Sequence, residues 1–273
     1  MKLYNIVLGL MNHNSKHPCY ICKTYKNPDG TWAIADKRTL KNLLEDHELW
    51  KESNESRAFL KNYNNVQNPP LFKGENLQNK PLFAILPIPG LHCIKLGGVN
   101  LLFKYLGEAV NLESFLKKHG LIMEGYHGGQ YIGPDWGKLD DLEEEVKTQD
   151  PSKVVFIDAM RDLKEVYRIA HTKDVDPNHR EIVKKFENSV MILHKEYKVP
   201  ITPKLHIIID HLPEFFDYTG KTLRKRTDQT VESTHSKFDK FVKIHNYQVR
   251  DVKSDKVGEN LLKAVKHFNS YNL

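Results

Sequence analysis

Apolar side chains recur three and four positions apart along most of this chain, and Pro, Gly or Asn breaks the runs, which is the pattern of helices joined by turns. Leu3, Ile6, Val7 and Leu10 predict a short helix over 2–12, ended by the polar run Asn12 to Lys16. Asn27-Pro28-Asp29-Gly30 predicts a turn. Thr39 then caps a helix to about Ser53, with Leu40, Leu43, Leu44 and Trp50 on one face. Residues 62–79 are Asn-rich, contain Pro69-Pro70 and read as a loop. Helical spacing resumes over 91–106 with Leu91, Leu102 and Tyr105, where Gly97 and Gly98 either loosen the helix or let another element approach closely. A short helix from Leu112 to His119 precedes a Gly-rich loop from Tyr126 to Gly137. Five further helices are expected, near 138–148, 151–171, 178–198, 203–217 and 227–245, so the fold class is mainly α.

Composition adds a size and a compartment. With 273 residues, 40% hydrophobic and 10% aromatic, the chain can bury one large core or two smaller ones. The net charge of +6 arises from 41 basic against 35 acidic residues, so nucleic acid is permitted by charge without being implied by it. The acidic run Glu143-Glu144-Glu145 reads as a solvated helix face. Three cysteines are too few for a secreted disulfide framework and suit a reducing compartment, which points inside the cell. The first dozen residues carry one Lys and an apolar stretch, as a signal peptide would, but Asn5 interrupts it and no small-x-small cleavage site follows. The longest apolar run, Pro81 to Ile94, is broken by Pro87, Pro89 and Gly90, so no membrane-spanning helix is expected. The Gly-rich loop lacks the spacing and the following Lys-Ser/Thr of a phosphate-binding loop.

The chemistry-bearing residues begin with Cys19 and Cys22, whose Cys-x-x-Cys spacing lets two thiolates of one turn reach one zinc ion. A redox pair normally opens a helix after a strand, whereas this pair follows a helix and precedes a turn, which favours zinc. Among 14 histidines, His206 and His211 stand out as a candidate second half. On an ideal α-helix five residues leave two side chains roughly 140° apart, so spacing alone leaves them as two ordinary histidines. Pro213 removes a helix hydrogen bond at the Ile209 carbonyl, and a kink there would turn His211 toward His206. Cys93 is expected to be a buried free thiol and His92 a hydrogen-bonded core residue.

Three segments in order, His17-Pro18-Cys19-Tyr20-Ile21-Cys22, Leu91-His92-Cys93 and Ile201 to Asn246, resemble the catalytic subunit of the V(D)J recombinase and its relatives, the Transib-type DDE transposases. The resemblance implies that Cys19, Cys22, His206 and His211 bind one structural zinc. It also implies that Glu232, in Val231-Glu232-Ser233, is the last catalytic carboxylate, on a helix whose apolar face is Phe238, Phe241 and Val242. Two catalytic aspartates would lie upstream of the Cys pair, the second immediately before Met1, so the triad is expected to be incomplete here. DDE chemistry uses two divalent metals roughly 3.5–4 Å apart, and one glutamate cannot hold them, so magnesium would belong to a full-length active form only. The fold implied is a zinc-stapled helical insertion plus the terminal helix of a truncated RNase H-like core. That organisation places the helical insertion region over 1–200 and the His-x4-His and Glu-bearing helices over 201–273, packed as one unit.

Basic residues surround the Glu232 segment: Lys221, Arg224, Lys225 and Arg226 precede it and Lys240 follows it. Such cations give salt-sensitive contact to a DNA backbone, or form a solvated basic face. The expectation is a transposon-derived, zinc-binding fragment, nuclear within the cell, with DNA, a second copy or the remainder of a transposase as partner and no membrane role. It would not be an enzyme on its own. The alternative is a zinc-stapled protein-interaction module retained by a host without DNA function.

Overall fold

The computed structural model describes residues 2–11, 15–53, 57–71, 74–119, 123–124, 130–131 and 136–225. The chain divides into two compact units, Met1–Arg226 and Thr227–Leu273, and every described residue belongs to the first. The helix expected over 227–245, with Glu232 and Lys240, lies outside the described residues. So do Arg226, the side chains of Lys225 and His92, and most of the Gly-rich loop.

The first unit is mainly helical. Helix α1 spans Lys2–Val7 and is shorter than its apolar spacing suggests. Gly9 is the reason: it adopts φ +69°, and a β-carbon there would collide with the Asn68 carbonyl, so the chain turns where the pattern runs on. Helix α2, Leu40–Glu52, starts at Thr39, whose hydroxyl accepts from the Asn42 amide while the Asn42 side chain accepts from the Thr39 N–H. Helix α3, Leu82–Ile85, leads into a π-helix, Leu91–Val99, continued by α4, Asn100–Ala109. Of the two roles open to the glycines here, Gly98 shows close approach: an added β-carbon would lie 2.7 Å from Leu163 Cδ2.

Helix α5, Glu113–Lys118, precedes an antiparallel strand pair, β1 (Met123–Glu124) and β2 (Gln130–Tyr131), in which Met123 faces Tyr131. Helix α6, Leu139–Gln149, carries the acidic run. Its Glu143 reaches Lys147 and Arg161, each at 2.6 Å, and these cations hold its carboxyl below the usual range.

Helices α7, Val154–His171, and α8, His179–Tyr197, run antiparallel and form the core seam. Phe156, Met160, Leu163 and Val166 of α7 and Val183, Phe186, Val190 and Leu193 of α8 are buried at helical spacing. Asp162 sits in that seam, where a lone carboxylate would be costly. The Ser189 hydroxyl donates to it at 2.6 Å, and Lys185 Nζ lies 2.8 Å away. Lys198 closes α8 in the left-handed conformation at φ 57°, after which α9, Pro203–His206, begins the segment that carries the histidine pair. Among the described residues, no helix is long and apolar enough to cross a membrane.

Candidate metal centre

Residues 17–38 form a small hairpin with the cysteines at its base. Asn27-Pro28-Asp29-Gly30 makes the predicted turn: the Gly30 N–H donates to the Asn27 carbonyl, and the Asp29 carboxylate accepts from the Thr31 amide and hydroxyl. Gly30 takes φ +86°, a conformation that suits its missing β-carbon. Isolated antiparallel bridges pair Lys26 with Trp32 and Cys22 with Lys37. At the base, the Arg38 N–H donates to the Ile21 carbonyl at 2.7 Å, and the Ile21 N–H donates to Cys19 Sγ at 3.4 Å.

Arg38 supplies the rest of the support. Its side chain is fully buried, with Nε donating to the carbonyls of Cys19 and Cys22 at 3.0 and 2.9 Å and Nη2 to that of Asn64 at 2.9 Å. One guanidinium thus fixes both ends of the Cys-x-x-Cys turn and ties it to the loop after α2. Burial pushes the pKa of Arg38 down, opposed by the thiols of Cys19 and Cys22 and by the Asp46 carboxylate.

The histidines arrive on a helix of unusual pitch. Thr202 caps α9, its hydroxyl accepting from the Leu205 N–H at 3.3 Å, and Pro203 takes a first-turn position where a missing N–H costs little. After His206 the backbone widens into a π-helix, Ile207–His211, before α10, Leu212–Thr219. The Leu212 N–H donates to the Ile207 carbonyl, an i to i+5 bond. In that register a residue stacks over the one five positions earlier, so His206 and His211 share a face. The kink expected at Pro213 is therefore a widened turn just before it. Pro213 still contributes, because it has no N–H with which to restore the α register at Ile209.

The two halves meet. One ligand atom each from Cys19, Cys22, His206 and His211 lies within 4.8 Å of all the others, and all four residues are buried. Cys22 Sγ is 3.2 Å from His206 Nε2 and 3.3 Å from His211 Nε2, and the two Nε2 atoms are 3.1 Å apart. Behind each ring stands a carboxylate: Glu214 Oε2 is 3.0 Å from His211 Nδ1, and Asp210 Oδ2 is 2.6 Å from His206 Nδ1, though not in line with an N–H there. Trp32 packs on the His206 ring at 5.4 Å between centroids and donates its indole N–H to the Ile201 carbonyl. The group of four residues could hold a metal ion.

Electrostatics separates the two thiols. Hydrogen bonding to Cys19, then burial, pushes Cys22 up to about 11. Burial alone would raise Cys19 as well, but hydrogen bonds from Cys22 and from backbone N–H groups outweigh it and lower the net value. Burial opposes the charged form of His206, yet Asp210 and Cys22 raise it to about 9. Burial likewise works against the Glu214 carboxylate, which His211 and Lys37 nevertheless bring down to about 2. The surroundings thus push the two thiols apart, Cys19 down and Cys22 up, and raise His206, so a cation that binds competes with protons at Cys22 and His206.

Outside this cluster, Lys221 and Arg224 are solvent-exposed, and Cys93 is a buried thiol outside any disulfide. Sequence reasoning missed Lys37, Arg38, Asp210 and Glu214. Two of these had a visible signal, since Asp210 lies four residues after His206 and Glu214 three after His211, the spacings at which helical side chains meet. Lys37 and Arg38 had none, because only closure of the hairpin brings them to the cysteines. No protein-family model matches this sequence, and no curated protein gives a significant match to it.

Proposed function

We propose that Cys19, Cys22, His206 and His211 bind one structural zinc ion, and that this chain is the zinc-stapled helical part of a transposase-like protein. The observation that carries the zinc reading is the convergence of the four buried ligand atoms. Glu214 at His211 Nδ1 leaves that ring's Nε2 lone pair against Cys22 Sγ and His206 Nε2, with Cys19 beside them, a crowding of ligand atoms that a cation or protons relieve. Dimensions agree: zinc bonds of about 2.3 Å to sulfur and about 2.0–2.1 Å to nitrogen give a tetrahedron with edges of roughly 3.3–3.8 Å. The 3.1–3.3 Å separations among Cys22, His206 and His211 need only a slight expansion, and Cys19 Sγ lies within 4.8 Å of all three. Two thiolates and two imidazoles, all buried, fill four positions and leave none for substrate, which is the composition of a structural site. Bound zinc would join segments 184 residues apart, so its binding energy becomes folding energy.

The transposase reading rests on the resemblance, and what supports it here is that the resembling segments supply all four ligands of a single site. Exposed Lys221 and Arg224 are consistent with contact to a DNA backbone. A second reading, a zinc-stapled protein-interaction module, is favoured by the hairpin surface, where Ile34 is fully exposed and Tyr25 is 42% exposed.

Metal content of the purified chain by plasma mass spectrometry, with and without the Cys19→Ser, Cys22→Ser double change, tests the core of the proposal. The expected result is one zinc per chain, lost in the variant; soluble, folded protein without zinc would overturn it. Salt-dependent retention on nonspecific duplex DNA separates the two functional readings. Binding that falls steeply with salt supports the transposase fragment, whereas no binding even at low salt supports the interaction module.

A further inference from the structure

We infer that Glu214, braced by Lys37, is a positioning residue of the metal centre that sets which His211 nitrogen faces the ion and how far the histidine arm stands from the cysteine hairpin. The inference rests on the zinc reading above. His211 Nε2 is 3.3 Å from Cys22 Sγ and 3.1 Å from His206 Nε2, so a ligand lone pair belongs there and the ring proton belongs on Nδ1. Glu214 Oε2, 3.0 Å from Nδ1, is the acceptor for that proton. Lys37 Nζ also approaches Nδ1, at 3.3 Å, but an ammonium cannot donate to an N–H. Its partner is the same Glu214 oxygen at 2.6 Å.

The direction of the chain is therefore fixed: the Lys37 ammonium and the His211 Nδ1–H both donate to Glu214, and His211 presents Nε2 to the centre. Lys37 is bridged to Cys22 across the hairpin. Glu214 consequently spans both halves of the site, receiving one hydrogen bond from the cysteine hairpin and one from the histidine helix. A carboxylate behind a ligating imidazole fixes its tautomer and ring orientation and raises its basicity.

Asp210 is the natural control. It lies 2.6 Å from His206 Nδ1, yet it is not in line with an N–H, is half exposed, and shows no cation bracing it among the described residues. The structure thus assigns the two carboxylates unequal weight.

The experiment is competition of the full chain against a zinc chelator, read together with the cobalt absorption spectrum and the melting curve of the metal-free protein. Glu214→Leu is expected to weaken zinc binding by about 10- to 100-fold. Its cobalt d–d band should change shape, and metal-free melting should fall only by what the lost Lys37 and His211 contacts cost. Glu214→Gln keeps an oxygen that accepts from Nδ1–H and should recover most of the affinity and the spectrum. Lys37→Met should fall between them, and Asp210→Leu should cost less than Glu214→Leu. Parental affinity and spectrum in Glu214→Leu would overturn the positioning role while leaving the zinc reading intact. A Glu214→Gln variant as weak as Glu214→Leu would also overturn it, because lost charge would then explain the effect without orientation. A parent chain that takes up neither zinc nor cobalt would instead remove the zinc reading itself.

Discussion

The cysteine hairpin and the histidine arm reach the same point by different means. The hairpin is organised by its own backbone, with Ile21 and Arg38 amides, the Asn27–Gly30 turn and a buried guanidinium all engaged before any ion is considered. The arm depends on a five-residue π-helix and on carboxylates that are partly open to solvent. A π-helix is a poor resting state for a backbone, which uses it mostly as a local bulge at functional positions. On the proposed zinc reading, one half of the centre is preformed, and the other would be held in place in part by the ion. That distinction can be tested by damaging each half with and without metal.

The largest expected effect comes from removing a ligand. Cys22→Ser or His211→Ala should abolish stoichiometric zinc and cost at least about 4 kcal/mol, the range in which loss of a metal falls. At roughly 2–4 °C per kcal/mol for a domain of this size, the melting temperature should drop by about 8 °C or more. In excess chelator the parent should melt like the variants. An unchanged melting curve in either variant would sink the staple.

Arg38→Met comes next and strikes the hairpin and its tie to Asn64, leaving the histidine arm untouched. It leaves the buried carbonyls of Cys19 and Cys22 without their donor, at about 1–3 kcal/mol each, and removes the part-buried bond to Asn64 as well, so a total of about 3 kcal/mol or more is expected. Because the hairpin is preformed, the loss should be equally large in metal-free protein. If chelator erases the difference between Arg38→Met and the parent, the hairpin owes its shape to the ion and the contrast between the halves fails.

How much of this was legible in the sequence differs between the same two halves. The Asn27–Gly30 turn, the Thr39 cap and the boundaries of α7 and α8 follow from local rules, and the structure has them within a few residues of the expected positions. The Cys-x-x-Cys spacing announces its chemistry because a single turn satisfies it. His206 and His211 are at a spacing that α-helical geometry argues against, and only an i to i+5 register reconciles them. Local propensity carries no mark of that register, whose Ile207, Ile208 and Leu212 are all fully buried in tertiary packing. The end of α1 was lost for a similar reason, since Gly9 turns against a carbonyl nearly sixty residues away.

A control away from the centre sharpens the comparison. Gly98→Ala would push a β-carbon to 2.7 Å from Leu163, within the α7 seam. Overpacking costs about 1–3 kcal/mol, offset by up to about 1 kcal/mol of improved helix propensity, so a net loss of about 1–2 kcal/mol is expected. Zinc stoichiometry should stay at one per chain. Loss of zinc in this variant would mean that the seam and the metal centre form one cooperative unit, and the two-halves description would then be too local.

The smallest effect on stability, and the most informative one about the histidine arm, is expected from Pro213→Ala. Pro213 occupies the first turn of α10, where proline costs little, so the change should alter metal-free stability by less than about 1 kcal/mol. It does, however, add an N–H that can bond the Ile209 carbonyl, giving the widened turn a path back to the α register, in which the two imidazoles diverge by roughly 140°. Zinc affinity should therefore fall severalfold while the metal-free melting temperature holds or rises, two readings that move apart in one variant. Equal affinity in parent and variant would show that packing of Ile207, Ile208 and Leu212 alone holds the π-helix. The histidine arm would then be as preformed as the hairpin, and the ion would join two rigid pieces without shaping either.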